Sequence, residues 1–210
     1  MTLTVGIYLF DEVEVLDFAG PFEVFSTASR VYSLLHPGNP KPFQVITVAL
    51  NSSFITARGG LQVHPSHTIA NHPPIDVLVI PGGVVSAQLE LPAVIEWIAL
   101  NGPKATLTAS VCTGAFLLAK VGLLDGKTVT THWEDIQDLR AMFPKVSVVE
   151  NRRWVDAGQI VTSGGISAGI DMSLYLVARL ADHELAAKTA HQMEFDWQYG
   201  CLSYVRLGTS

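Results

Sequence analysis

Cysteine is nearly absent from this chain: 210 residues hold two, Cys112 and Cys201. That density excludes a disulfide scaffold. Charge is scarce as well. Charged residues make up 15% of the sequence against 49% hydrophobic, a balance that suits much buried sheet or an apolar contact between subunits. Positive charge is the scarcer sign. The formal net charge of −6 gives the chain no electrostatic pull on nucleic acid, and Arg152-Arg153 reads as an isolated, solvated pair. No apolar run is long enough to span a bilayer. The short run from Val5 to Phe10 has no Lys or Arg before it, and Asp11, Glu12 and Glu14 follow at once. It reads as a buried strand, not a secretory leader. The expectation is a cytoplasmic protein without nucleic-acid or membrane partners. The sequence also lacks H-E-x-x-H, a Cys-x-x-Cys pair, a P-loop and G-x-G-x-x-G, so no metal and no nucleotide cofactor are expected. His64 and His67 read as solvated loop residues.

What is present is alternation. Buried-strand runs at Leu3–Leu9, Phe43–Leu50, Asp76–Ile80 and Ala105–Val111 alternate with helical segments at Phe18–Leu35, Leu89–Leu100 and Thr113–Val121. Pro21 is placed in the first turn of its helix, where proline is tolerated. Further along, strands are expected at Thr128–Thr131, Ser147–Val149 and Gln159–Thr162, with Arg152–Gly158 as a hairpin-like excursion. Helices are expected at Trp133–Phe143, Ser167–Leu180 and His183–Glu194. This rhythm predicts an α/β fold with a mostly parallel sheet and helices on both faces. No repeat, linker or low-complexity tract interrupts it, so one domain over 1–210 is expected. Sites in such sheets form at the carboxyl ends of strands. Three segments fall there: Pro81-Gly82-Gly83, Cys112-Thr113-Gly114 and Ser163-Gly164-Gly165.

The second of these has the small-x-Cys-x-Gly pattern of a nucleophile elbow, with Ser110 and Gly114 flanking Cys112. A turn that lifts a nucleophile off a strand brings the residues two before and two after it together, so only small side chains fit. It also places the sulfur at a helix start, which favours thiolate. The alternative is a buried, inert cysteine, the reading taken for Cys201. Gly82 and Gly83 would allow backbone N–H groups to approach an oxyanion, or form an ordinary turn. Asp17 reads either as a helix cap or as a carboxyl group beside the thiolate, its pKa raised so that it can hold and deliver a proton. His132-Trp133 follows a strand end and either lines the same pocket or packs as a satisfied histidine beside a buried aromatic.

In order, and over nearly the whole chain, five pieces resemble the ThiJ/PfpI superfamily, whose fold is similar to class I glutamine amidotransferases and flavodoxin-like. They are Leu16 to Pro21, Asp76 to Gly83, Ser110 to Ala115, Thr130 to Trp133 and Thr162 to Gly169. Within it the chain is most similar to isonitrile hydratases and to the amidase-like domains of AraC-type regulators. Many hydrolase-like and glyoxalase-like members carry Glu on the first loop and His after the Cys; here Asp17 and Thr113 stand there, which turns the expectation away from protease, deglycase and glyoxalase activity. The resemblance implies a carbon–nitrogen lyase that hydrates an isonitrile to an N-substituted formamide. Cys112, Asp17 and Thr113 would be catalytic, and Gly82, Gly83, His132, Trp133 and Ile166 would bind oxyanion or substrate. Thiolate attack, with the proton then supplied by Asp17, is the expected chemistry. The resemblance also implies a homodimer acting on a small molecule without a cofactor. A free-standing ligand or redox sensor, or a related cysteine hydrolase or amidase, is the alternative. AraC-type regulators attach a helix-turn-helix region after this domain; with the chain ending at Ser210, none is expected here.

Overall fold

The computed structural model describes residues 1–197 and the backbone of 204–206; Cys201 lies outside the described residues. The first half runs β1 (Leu3–Leu9), α1 (Val15–Leu35), β2 (Phe43–Ala49), β3 (Ile55–Thr56), β4 (Gln62–Val63), β5 (His67–Thr68), β6 (Val77–Ile80), α2 (Ser86–Leu89), α3 (Pro92–Asn101) and β7 (Leu107–Val111). The second half runs α4 (Gly114–Lys120), β8 (Thr128–Val129), α5 (Ile136–Met142), β9 (Ser147–Val148), β10 (Trp154–Ala157), β11 (Ile160–Ser163), α6 (Ala168–Leu180), α7 (His183–Gln192) and β12 (Tyr204–Arg206).

Eight strands form one sheet in the order β12-β10-β11-β7-β6-β1-β2-β5. Its pairings are parallel except for the antiparallel pair β10–β11. Helices α1, α6 and α7 pack on one another, and α2, α3 and α4 form a second group. Strands covered on both faces have no solvent side, which is why β6 and β7 are buried at every residue and read as unbroken apolar runs. The expected α/β architecture is the one observed. In the sheet, β11, β7 and β6 are neighbours, so the three loops at their carboxyl ends lie side by side.

Three details go beyond the expected elements, the first of them a correction. Helix α1 begins at Val15, not Phe18, so Pro21 sits in its interior and has no N–H to offer the carbonyl of Asp17. The early start comes from tertiary contacts: the Glu14 N–H donates to the Gly82 carbonyl, and Val13 bridges Gly83. Second, the Arg152–Gly158 excursion is a hairpin arm as expected, and its strand β10 also joins the main sheet; Asp156 there is buried and accepts hydrogen bonds from Tyr175 and Arg179 of α6. Third, a small β3–β4 hairpin, too short to show periodicity, packs its Arg58 N–H onto the Val13 carbonyl.

Candidate active site

Cys112 is the junction between β7 and α4. Its φ is 55°, a left-handed value that a non-glycine residue holds only when its surroundings impose it. The impositions can be named. Its N–H is shared between the carbonyls of Ser163 and Gly164, each at 3.2 Å, and its own carbonyl accepts from the buried Thr131 hydroxyl at 2.8 Å. A Cβ on Gly114 would lie 2.1 Å from the Ile80 carbonyl oxygen, and one on Gly82 2.6 Å from the Thr113 nitrogen. Both glycines are therefore required where the elbow presses against the end of β6.

Asp17 is fully buried and does not cap α1: the N-cap is Glu14, which makes no side-chain capping bond. Its carboxylate instead reaches across the sheet ends. Oδ2 accepts the Gly82 N–H at 3.1 Å and Oδ1 accepts the Ile166 N–H at 3.0 Å. Burial drives its pKa up to about 6, against the pull of those two N–H groups; the Glu14 charge adds to the rise, and the Cys112 thiol, hydrogen-bonded to it, opposes it. Burial also pushes the Cys112 thiol well above its usual range. The Asp17 charge acts in the same direction, and the backbone N–H and hydroxyl of Thr113 pull against it. The helix-start effect does not win here, so the free site near neutral pH is a thiol beside a carboxylate.

The other residues anticipated from sequence divide. Thr113 locks the elbow, its hydroxyl donating to the Gly83 carbonyl and accepting the Gly83 N–H, both at 2.9 Å. The N–H groups of Gly82 and Gly83 are thus already given to Asp17 and Thr113. They hold the Asp17 and Thr113 side chains in place and are not left free as the expected oxyanion hole would require. Ile166, φ 54°, contributes its N–H to Asp17 and its side chain to the wall of the cleft. His132 lines that cleft too, with Nδ1 3.4 Å from Asp135 and 3.6 Å from Glu134. Trp133 is 76% exposed and lines a separate, larger cleft of about 660 Å³. It neither packs in the core nor lines the cleft over Cys112.

The cleft above the sulfur holds about 290 Å³ and is lined by Glu14, Arg58, Gly83, Cys112, Thr113, His132, Glu134, Asp135 and Ile166. Glu14, Arg58, Glu134 and Asp135 were not anticipated. Arg58, paired with Glu14 at 3.4 Å, arrives on the β3–β4 hairpin, for which the sequence carries no signal. Asp135 and Glu134 could have been found from their spacing to His132 in a tight 3₁₀ turn. Burial raises the Asp135 pKa, with the His132 interaction lowering it. Among the described residues no group of three or more His, Cys, Asp or Glu side chains is arranged to hold a metal ion, and no helix is long and apolar enough to cross a membrane.

Known proteins share this chain's sequence pattern and fold. The model of the DJ-1/PfpI family matches residues 3–179. An isonitrile hydratase from Pseudomonas putida is 34% identical over 196 residues, covering 93% of this chain and 79% of that protein. The transcriptional regulator GbdR of Pseudomonas aeruginosa is 25% identical over 193 residues, covering 92% of this chain and 51% of the regulator; this chain thus spans about half the regulator's length. A crystal structure of a ThiJ/PfpI family protein from Pseudomonas syringae superimposes with a TM-score of 0.81 at 25% identity, covering 96% of this chain and 78% of that one.

Proposed function

From the premise that the chain belongs to the DJ-1/PfpI family, we propose that it is a single-domain cysteine enzyme that hydrates an isonitrile to an N-substituted formamide. One observation carries this reading: a buried carboxylate with a pKa near 6, held by two backbone N–H groups, in hydrogen-bonding contact with the thiol of an elbow cysteine. An isonitrile carbon is attacked at the same atom that must then be protonated. A thiol next to a base that can take its proton and return it suits that demand.

The sequence of steps balances with one mobile proton. Asp17 takes the proton from Cys112 as Sγ bonds to the terminal carbon of R–N≡C. It then delivers that proton to the same carbon, leaving a thioimidate, R–N=CH–S–Cys112. Water adds to this carbon and gives up both its protons, one to Asp17 and one to the nitrogen, leaving the oxyanion R–NH–CH(O⁻)–S–Cys112, whose collapse drives the next step. The C–S bond breaks, the sulfur recovers a proton from Asp17, and R–NH–CHO leaves. Thr113 keeps its N–H on the sulfur throughout, and Ile166 and His132 bound the space for R. No cofactor enters this scheme.

The test is to supply a simple alkyl isonitrile in ¹⁸O-labelled water and follow the product by NMR and mass spectrometry. Formamide carrying ¹⁸O in the formyl group supports the reading; recovery of unreacted isonitrile rejects it.

A further inference from the structure

Arg153, read from sequence as solvated, is committed to the turn behind the active site. Its Nε donates to Asp171 Oδ2 at 2.5 Å, a second guanidinium nitrogen pairs with the same carboxylate, and that nitrogen also donates to the Ser167 hydroxyl at 3.3 Å. Asp171 is buried in the first turn of α6. The Arg153 carbonyl accepts the Gly164 N–H at 2.8 Å. One residue therefore grips both ends of the segment Gly164-Gly165-Ile166-Ser167. That segment does two things for the site: the Gly164 carbonyl accepts from the Cys112 N–H, and the Ile166 N–H donates to Asp17. It also contains a β-branched residue at φ 54°, a conformation that relaxes unless its neighbours hold it. The Ile166 side chain is 42% exposed, and the other hydrogen bonds to the segment come from the first turn of α6, whose Ala168, Gly169 and Ile170 N–H groups donate to the Gly165, Ile166 and Ser167 carbonyls. Helix α6 has its own tie to the sheet through Tyr175, Arg179 and Asp156, so the Arg153 contacts are not needed to keep the helix in place.

We propose that Arg153 is a positioning residue: by clamping Asp171 and Ser167 it holds the strained Gly164–Ser167 turn so that the Ile166 N–H stays on Asp17. This rests on the reading of Asp17 as the proton carrier. Losing that N–H removes a donor from the ionised carboxylate, so the carboxyl should titrate at higher pH. The other charged or titratable groups that act on Asp17 are Glu14 on the same helix and the Cys112 thiol opposite. Neither contacts Arg153, so both are common to the variants compared.

The experiment is ¹³C NMR titration of the Asp17 carboxyl, identified by its loss in Asp17→Asn, in the full chain. Because Arg153→Ala would strand a buried charge on Asp171, the pair is replaced together as Arg153→Gln with Asp171→Asn. The midpoint should rise from about 6 by about half a unit or more. Ser167→Ala, which leaves the ion pair intact, should move it in the same direction by less. Arg153→Lys, which keeps the charge but not the fork, should fall between wild type and the double variant. A folded double variant, or failing that a folded Ser167→Ala, with an unmoved midpoint overturns the proposal. Isonitrile turnover is read separately. A moved midpoint in a protein that turns over no isonitrile supports the clamp and rejects only the substrate. An unmoved midpoint in an active enzyme rejects only the clamp.

Discussion

Raising the pH from about 4 to about 7 should destabilise the folded protein through Asp17 in particular. The unfolded carboxyl titrates near 3.8 and the folded one near 6, because burial opposes its charge. Between those values the folded state holds a proton that the unfolded state has released. The stabilisation from this group is therefore complete below about 3.8 and is lost as the pH rises through about 6. A difference of about two units, at about 1.4 kcal/mol per unit, makes the loss about 3 kcal/mol. Cys112 stays protonated over this range in both states, since burial raises its pKa, and adds nothing. Other groups titrate as well, so the quantity to measure is a difference. Urea unfolding of the wild type and Asp17→Asn is followed at each pH, and the gap between the two free energies is plotted. The amide has a fixed offset, because one of its N–H groups must face a backbone N–H of Gly82 or Ile166; that offset does not depend on pH. The gap should change by about 2 kcal/mol in favour of the variant between pH 4 and 7, most of the full loss, because pH 4 already lies just above the unfolded value. A gap constant to within about 1 kcal/mol would mean that Asp17 is an ordinary ionised carboxylate, and the proposed proton shuttle would lose its carrier.

Other expectations follow from the same geometry. Alkylation of Cys112 by iodoacetamide should be slow at neutral pH and still climbing above pH 9, because burial keeps the thiol protonated; a rate that levels off below pH 7 would show the helix start prevailing instead. Thr131→Val removes the hydroxyl that satisfies the Cys112 carbonyl at nearly constant volume, and chemical denaturation should register a loss of about 1–3 kcal/mol; an unchanged midpoint would mean the elbow is held without it. Ile166→Gly relieves a left-handed, half-exposed β-branched residue and should leave stability within about 1 kcal/mol of wild type. A larger loss would mean that the Ile166 side chain, not the backbone conformation, is what this position requires.

The sequence was most readable where apolar periodicity and small residues had a single explanation. Strand β1, the buried runs of β6 and β7, and the elbow around Cys112 follow from burial on both faces and from the steric need for Ser110 and Gly114. The convergence of three strand-end loops follows from a parallel sheet. Asp17 was ambiguous locally, because an acidic residue at the start of a helical run suits a cap. Only the contacts of Glu14 and Val13 with Gly82 and Gly83, across more than sixty positions of chain, start the helix early and turn Asp17 inward. Arg58 was invisible because two-residue strands have no period to detect. Arg153 was misread because its partner Asp171 stands 18 residues later, on a different element. The direction of the Cys112 pKa shift could not be read locally either, since a helix start argues for thiolate while the burial that outweighs it is a property of the folded chain.

The most direct test of the account is the rate of formamide formation from an alkyl isonitrile by the wild type, Cys112→Ala and Asp17→Asn, each shown to be folded. Turnover by the wild type that both substitutions abolish is the predicted result, since the scheme routes the covalent bond through Cys112 and the proton through Asp17, the carboxylate hydrogen-bonded to the thiol. Turnover that survives in Asp17→Asn would contradict the shared-proton mechanism, and turnover that survives in Cys112→Ala would contradict the covalent one.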